Sequence, residues 1–397
     1  MRVVMVSKAL AVGAYQRKLE EIARLPGVEL TAIVPSEWSD RRGRVRLERA
    51  HVSGYELIAA PLRLNGQYHL HFYPTLGRLL KQLRPDILHM DEEPYNLATW
   101  LALRSGRAIG ARSLFFTWQN LPRSYPWPFR SFEVANYRRA ACAIAGNQTA
   151  ADVIRGKGYR GRLAVIPQFG VDPIIFSPTG VVSHPAGSEN AGSGVTPAEA
   201  RFVVGFAGRL VAEKGVDVLL RACAGMLAGD WSLRLLGDGP DRGRLEGIAQ
   251  ALGIAGKVRF LGLLPSTEMA GFYRSLNVLV LPSVSRPNWI EQFGRVLIEA
   301  MSCEVPVIGS SSGEIPYVIG DAGLIFPEGD AAALRESLAS LAADPTRRAE
   351  LAVRGRARVL ARFTHARIAA ATACVYREMM EPEQETGSVA PCPARDL

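Results

Sequence analysis

Two glutamates eight positions apart, Glu291 and Glu299, bracket an apolar run in "EQFGRVLIEAMSCEVP". Glutamate is rarely buried without a partner, so such carboxylates either sit on a solvated stripe or line a site. The preceding "VLVLPS" reads as a buried strand, and the next helix is expected to start at about Phe293-Gly294. Glu291 then falls in a loop at the carboxyl end of a strand, where the amides of Phe293, Gly294, Arg295 and Val296 would face an anion. Glu299 falls inside the helix. Arg295, Glu299 and Ser302 form one polar stripe at i, i+4 and i+7. That spacing suits a weak surface ion pair and the wall of a cleft equally well.

A second cluster lies in "GFAGRLVAEKGVDVLLRA", where a strand ends at Gly208, Arg209 and Lys214 follow, and a helix begins near Gly215. Arginine offers a forked contact and lysine a point charge, so the two suit a diphosphate; a solvated loop is the plain alternative. "LLGDGPDRGRLE" ends another strand at Gly237-Asp238-Gly239, either a glycine edge of the same cleft or a tight turn. After the first strand, Gly13 stands alone where a dinucleotide fingerprint needs three glycines, so NAD binding there is not expected. One glycine at a helix start can still admit a phosphate to backbone N–H groups. His69 and His71 form an H-x-H, which strand alternation produces without a metal. The five cysteines are scattered and never C-x-x-C, which argues for a reducing compartment and against a zinc or disulfide framework.

The elements that must position these residues alternate short apolar runs with longer helical patterns, the signature of parallel α/β units. Strands are expected at 2–7, 29–34, 86–90, 113–118, 141–146 and 163–167, then at 202–208, 232–237, 257–262, 277–282, 305–309 and 323–326. Continuous apolar strands are buried on both faces, as in a doubly wound sheet. Between the two series lies the Gly/Ser/Ala/Pro-rich stretch 179–200, which reads as a linker. The 397-residue length also favours two domains. The expectation is two Rossmann-like domains, 1–178 and 201–363, facing across a cleft, with ligands beyond the carboxyl ends of the strands. A helix at 364–380 is expected to pack back on the first domain, and the tail 381–397 to be disordered.

Net charge is +9, with 25 Lys+Arg against 14 Asp+Glu in residues 1–178 and 22 against 24 in the remainder. The whole surplus therefore belongs to the first half, including "RRGRVRLER" at 41–49. It reads as a solvated arginine-rich loop or as a surface for an anionic partner such as a membrane. No nucleic-acid motif accompanies it. "MRVVMVSKAL" is too soon interrupted for a signal peptide, and no apolar run approaches the roughly 20 residues of a membrane span. A soluble, cytoplasmic chain is expected, peripheral at the inner face of the plasma membrane if the basic surface is used.

In order, the runs "FAGRLVAEKGVDVLLRA", "LLGDGPDRGRLE", "VRFLGLLPSTEMAGFYRSLNVLVLPS" and "EQFGRVLIEAMSCEVPVIGSSSGEIPYVIGDAGLIFPEGD" resemble the retaining glycosyltransferases of family 4, the group-1 glycosyl transferases of GT-B architecture. The resemblance covers nearly all of the second half. It implies a hexose transferred with retention from a UDP- or GDP-sugar to a hydroxyl on a carbohydrate, lipid-linked or small-molecule acceptor. Arg209 and Lys214 would neutralise the diphosphate, Glu299 would take the ribose hydroxyls, and Glu291 would orient the sugar. Gly13, Gln119, Gly208, Gly237, Leu263 and the stretch from Phe293 through Gly294 and Arg295 to Val296 would complete the donor site. No D-x-D motif is present, so no metal or other cofactor is expected. The first half departs from the pattern: Val12-Gly13 stands for a Gly-Gly pair, and Gln119 in "FFTWQNLP" stands where a histidine is common. Glutamine can hydrogen-bond a sugar but is no general base. An inactive sugar-nucleotide-binding subunit and a GT-B-type epimerase of nucleotide sugars are the alternatives.

Overall fold

The structure is a computed structural model that describes residues 1–40, 43–179, 202–226 and 230–381. The expected linker beyond Thr179 and the expected tail beyond Glu381 lie outside the described residues. The chain divides into two compact units, one made of Met1–Gly170 together with the chain from Arg362 onward, the other of Val171–Ala361.

The first unit carries β1 (Arg2–Val6), β2 (Glu29–Pro35), β3 (Glu37–Asp40), β4 (Gly43–Arg46), β5 (Glu56–Ala60), β6 (Ile87–Met90), β7 (Arg112–Thr117), β8 (Cys142–Ala145) and β9 (Arg162–Val165). Seven of these form one sheet in the order β5-β2-β1-β6-β7-β8-β9, every neighbouring pair parallel. β3 and β4 make a separate antiparallel hairpin. The helices are α1 (Arg17–Ala23), α2 (Leu76–Leu83), α3 (Leu97–Ala108), α4 (Phe129–Arg139) and α5 (Gln148–Gly156).

Side chains alternate across the sheet, and both faces are apolar. Val3 and Met5 of β1 join Leu30, Ile87, Leu114 and Ile144 in one core. Val4 and Val6 join Ile33, Leu88, Met90 and Phe115 in another with Leu76, Leu80 and Leu103. This two-sided burial is why the strands read as continuous hydrophobic runs. The hairpin and β5 were not anticipated, because β4 is exposed throughout and β5 is mostly accessible.

The second unit carries β10 (Phe202–Ala207), β11 (Trp231–Leu236), β12 (Val258–Gly262), β13 (Val278–Leu281), β14 (Val307–Ser310) and β15 (Leu324–Phe326). They form a six-stranded sheet in the order β12-β11-β10-β13-β14-β15, again parallel throughout. Helices α6 (Val216–Ala224), α7 (Arg242–Ala251), α8 (Met269–Arg274), α9 (Arg295–Ser302), α10 (Ile315–Ile319) and α11 (Ala331–Ala343) connect the strands. α12 (Pro345–Arg362) leads to α13 (His365–Met380).

α13 is assigned to the first unit. Thr364 caps it by accepting the Arg367 amide, and it packs against α1, burying Ile368, Ala369, Val375, Tyr376 and Met379 in the core that holds Leu19 and Ile22. The Tyr376 hydroxyl lies 2.7 Å from His89 Nδ1 inside that core. Cys142, Cys223 and Cys303 are free and buried. Cys374 is disulfide-bonded, where a reducing compartment and no disulfide framework were expected. Pairing depends on how close two β-carbons come, which scattered sequence positions do not reveal.

If α13 completes this core, Ile368→Ala removes packing that the residue's neighbours cannot close over. Chemical denaturation is expected to show a loss of about 2–5 kcal/mol. A change below 0.5 kcal/mol, within the surface range, would contradict the assignment.

Candidate active site

In the second unit the loops after β10, β11, β13 and β14 meet at the carboxyl edge of the sheet. β10 and β11 end in glycines for a packing reason. A Cβ on Gly237 would lie 1.9 Å from the Gly208 carbonyl oxygen, while Gly208 N donates to Leu236 O at 2.9 Å. Only glycine permits two strand ends to run this close. Gly208 and Gly237 thus fix the base of the loop that carries Arg209. Arg209 is exposed and makes no side-chain hydrogen bond or ion pair among the described residues.

Lys214 ends a short helical turn just before α6. Its ammonium donates to Glu291 Oε2 at 2.6 Å, and the same oxygen accepts the Ser283 hydroxyl at 2.7 Å. Lys214 Nζ also sits 4.9 Å from the centre of the Trp289 ring. Strand order makes the contact possible, since β10 and β13 are neighbours and their loops leave the sheet side by side. Glu291 is buried, so the two charges satisfy each other in a low-dielectric setting.

α9 begins at Arg295, two residues later than expected, because Gly294 caps it in the left-handed region with φ 81°. That conformation is cheap only for glycine. Phe293 is buried, Arg295 exposed and Val296 half-buried. Glu299 is buried and not solvated: its side chain is 8% accessible. One oxygen accepts the Tyr273 hydroxyl at 2.6 Å and the other faces Arg295 Nε at 2.9 Å. Burial and the Glu299 charge keep the Tyr273 hydroxyl protonated well above the ordinary phenol range. Leu263, after β12, is 79% exposed and contributes no buried contact.

Sequence reasoning missed Glu314. Its amide donates to the Glu291 carbonyl at 3.2 Å, and Gly313 before it is glycine because a Cβ would meet that carbonyl at 2.1 Å. Glu314 is buried, and its carboxyl group has no hydrogen-bond partner among the described residues. Burial pushes its pKa up to about 7. The available signal was a charged residue in "SSSGEIP", at the carboxyl end of a strand.

The other two predicted residues belong to the first unit. Gly13 opens a short helical turn, but its amide already donates to Glu48 Oε2 at 2.7 Å. A carboxylate therefore stands where a phosphate oxygen was expected. Gln119 follows β7; its side-chain oxygen accepts Lys157 at 3.3 Å, and its amide reaches the Arg123 carbonyl at 3.5 Å. Beside it is a run the sequence reading passed over, Asp91-Glu92-Glu93, at the carboxyl end of β6. Glu92 is bound at 2.7 Å by Lys8 and at 2.7 Å by His71 Nε2. Burial raises its pKa, but His71 and Lys8 outweigh that and hold it far below the carboxylate range. Glu93 accepts the Thr117 hydroxyl at 2.6 Å and the Trp118 amide at 2.8 Å, yet burial still pushes it up to about 7. Among the described residues no group of three His, Cys, Asp or Glu could hold a metal ion, and no helix is long and apolar enough to cross a membrane.

Comparison with known proteins gives this geometry a context. The family model "Glycosyl transferases group 1" matches residues 192–358, and the model "Glycosyl transferase 4-like domain" matches residues 11–168. A D-inositol 3-phosphate glycosyltransferase of Streptomyces bingchenggensis is 36% identical over 197 residues, 46% of this chain and 42% of that protein. The chain thus spans less than half the length of that relative. A 2-deoxystreptamine N-acetyl-D-glucosaminyltransferase of Streptomyces fradiae is 29% identical over 329 residues, 79% of this chain and 76% of that protein. In fold, the chain is similar to Anabaena HepE, solved in complex with UDP, with a TM-score of 0.72 at 18% identity over 95% of this chain and 100% of that one.

Glu314 yields a prediction about pH. Its folded pKa of about 7 lies above the ordinary glutamate value of about 4.3. Between these values the folded protein keeps a proton that the unfolded chain has lost, so stability falls as pH rises through that window. Glu314→Gln cannot titrate. The melting temperature of the variant relative to the parent is therefore expected to rise from pH 5 to pH 8; a pH-independent difference would contradict the assigned environment.

Proposed function

The chain belongs to the group-1 glycosyltransferases and has their GT-B fold of two Rossmann-like units, and from that premise we propose that it transfers a hexose from a nucleoside-diphosphate sugar to a hydroxyl acceptor. The observation that carries this reading is the Lys214–Glu291 contact at 2.6 Å, beside an unpaired Arg209 and a buried Glu299. These residue types match the parts of such a donor. Arg209 and Lys214 offer fixed cations for the diphosphate, where leaving-group charge accumulates as the glycosidic bond breaks. Cations already in place lower that barrier without reorganisation. Lys214 would bridge the phosphate and Glu291, so the carboxylate it holds is aimed at the sugar hydroxyls next to the reacting carbon. Glu299, fixed by Tyr273, retains acceptor capacity for the ribose hydroxyls.

In this reading Glu291 orients and does not act as base, since its Oε2 is already engaged by Lys214 and Ser283. The acceptor proton passes to the departing phosphate on the same face, which retains the anomeric configuration. The cations take the role a divalent metal has elsewhere. Solved relatives named in complex with UDP and UDP-glucose support a uridine nucleotide as the first donor to try. Glycosyltransferases named for D-inositol 3-phosphate and 2-deoxystreptamine support a small hydroxylated acceptor.

A panel of UDP-, GDP- and ADP-sugars is expected to raise the melting temperature for one nucleotide class, by mass action. With that donor, Lys214→Ala and Glu291→Ala are each expected to lower kcat/KM by about 10²–10³-fold, and a chelator is expected to leave turnover unchanged. Undiminished transfer by either variant would sink the assignment. Stabilisation by a sugar nucleotide without transfer to any acceptor would point to a binding subunit instead.

A further inference from the structure

Part of the positive surplus of the first half gathers on two helices outside the donor loops. On α3, Trp100, Arg104 and Arg107 recur at i, i+4 and i+7, and on α4 Phe132 and Arg139 are seven residues apart. The two helices are packed neighbours, so these stripes meet. The Trp100 and Phe132 rings lie 5.2 Å apart. The Arg104 guanidinium is 5.6 Å from the centre of the Trp100 ring and that of Arg139 is 5.8 Å away. Two guanidinium groups therefore share one indole, and Arg107 is near enough to act on the charge of Arg139.

No acid balances this cluster. The side chains of Arg104, Arg107 and Arg139 make no ion pair or hydrogen bond among the described residues, and Arg139 Nη1 is buried without a partner. Burial, then the charges of Arg107 and Arg104, push the Arg139 pKa down. Glu133, the acidic residue of α4, is committed elsewhere, to Lys157 and to the Tyr137 hydroxyl. Arg107 and Arg139 lie in the last turns of their helices, where a cation complements the helix dipole. That effect is met by exposed side chains. It does not account for a buried, unpaired guanidinium N–H or for two guanidinium groups on one ring. An anion that takes charge-assisted, forked hydrogen bonds from several arginines does account for them.

We propose that Trp100, Arg104, Arg107 and Arg139 form a binding site for a phosphate group, as a phosphomonoester or phosphodiester. The site belongs to the first unit, on the neighbouring faces of α3 and α4. It shares no residue with the donor loops and does not depend on the donor assignment. The same chemistry is offered by a phospholipid headgroup and by a free phosphorylated small molecule, and binding assays separate the two.

The 397-residue chain, Arg104→Ala/Arg139→Ala, the single charge reversal Arg104→Glu and a charge control at α2 and its C-cap, Arg78→Ala/Arg84→Ala, would be compared in two arms. One arm measures thermal stabilisation by inorganic phosphate against chloride at matched ionic strength. The other measures co-sedimentation with phosphatidylglycerol vesicles against phosphatidylcholine vesicles. Both cluster variants are expected to weaken binding by about tenfold or more, for the lost charge-assisted contacts, while the control binds like the parent. An effect in the phosphate arm alone assigns a free phosphorylated ligand, and one in the vesicle arm assigns a lipid headgroup. Equal binding by Arg104→Glu and parent in both arms, or equal loss in the charge control, overturns the proposal. Arg104 is exposed, so Arg104→Glu keeps the test decisive if the double variant fails to fold.

Discussion

The contact between Lys214 and Glu291, 2.6 Å long and largely removed from water, constrains everything around it in the second unit. Two charges taken out of water lose solvation that their mutual attraction barely restores, so such a pair is a poor way to gain stability. It is tolerated because the parallel sheet delivers both loops from adjacent strands and because Ser283 satisfies the same oxygen. The consequence is a carboxylate with one fixed orientation. Gly313 and Glu314 pack onto the Glu291 backbone, so the loop itself has little freedom. On the proposed reading this rigidity is the catalytic asset, since dipoles and charges set in advance need not reorganise as the bond breaks.

The first unit shows the same economy at the carboxyl edge of its own sheet. Asp91, Glu92 and Glu93 leave β6 together and meet donors drawn from far along the chain: the Lys8 ammonium, the His71 ring, the Thr117 hydroxyl and the Gln168 amide. Glu92 is held ionised, whereas Glu93 is poised near neutrality. A buried carboxyl near its pKa at neutral pH responds to small changes in its surroundings, and such groups cluster where ligands bind. By contrast, the side chains of Arg104, Arg107 and Arg139 on α3 and α4 have no carboxylate partner among the described residues.

How much of this the chain announced depends on which contacts are local. The twelve apolar strands expected from the sequence lie within two residues of observed ones; the central ones are buried on both faces and so leave an unbroken hydrophobic run, whereas β9 and β12 at the sheet edges are only partly buried. β3, β4 and β5 were invisible for the converse reason, being partly or wholly exposed. Glu291, Glu299, Lys214 and Arg209 stood out as charges at strand ends or inside an apolar helix. Their partners did not. Tyr273 is 26 residues from Glu299, and Lys214 is 77 from Glu291. Nothing in a periodic pattern encodes such distances; strand order does. Gly13 shows the limit from the other side: the glycine was read as room for a phosphate, and a carboxylate 35 residues on occupies that amide.

The most direct measurement of the central claim is a crystal structure with the nucleotide sugar that stabilises the protein most. The account predicts the diphosphate against Arg209 and Lys214, the ribose hydroxyls on Glu299, and a hydroxyl of the transferred sugar on the Glu291 carboxylate. A sugar nucleotide bound with its diphosphate away from Lys214, or with Glu291 still paired only to Lys214 and Ser283, would contradict it.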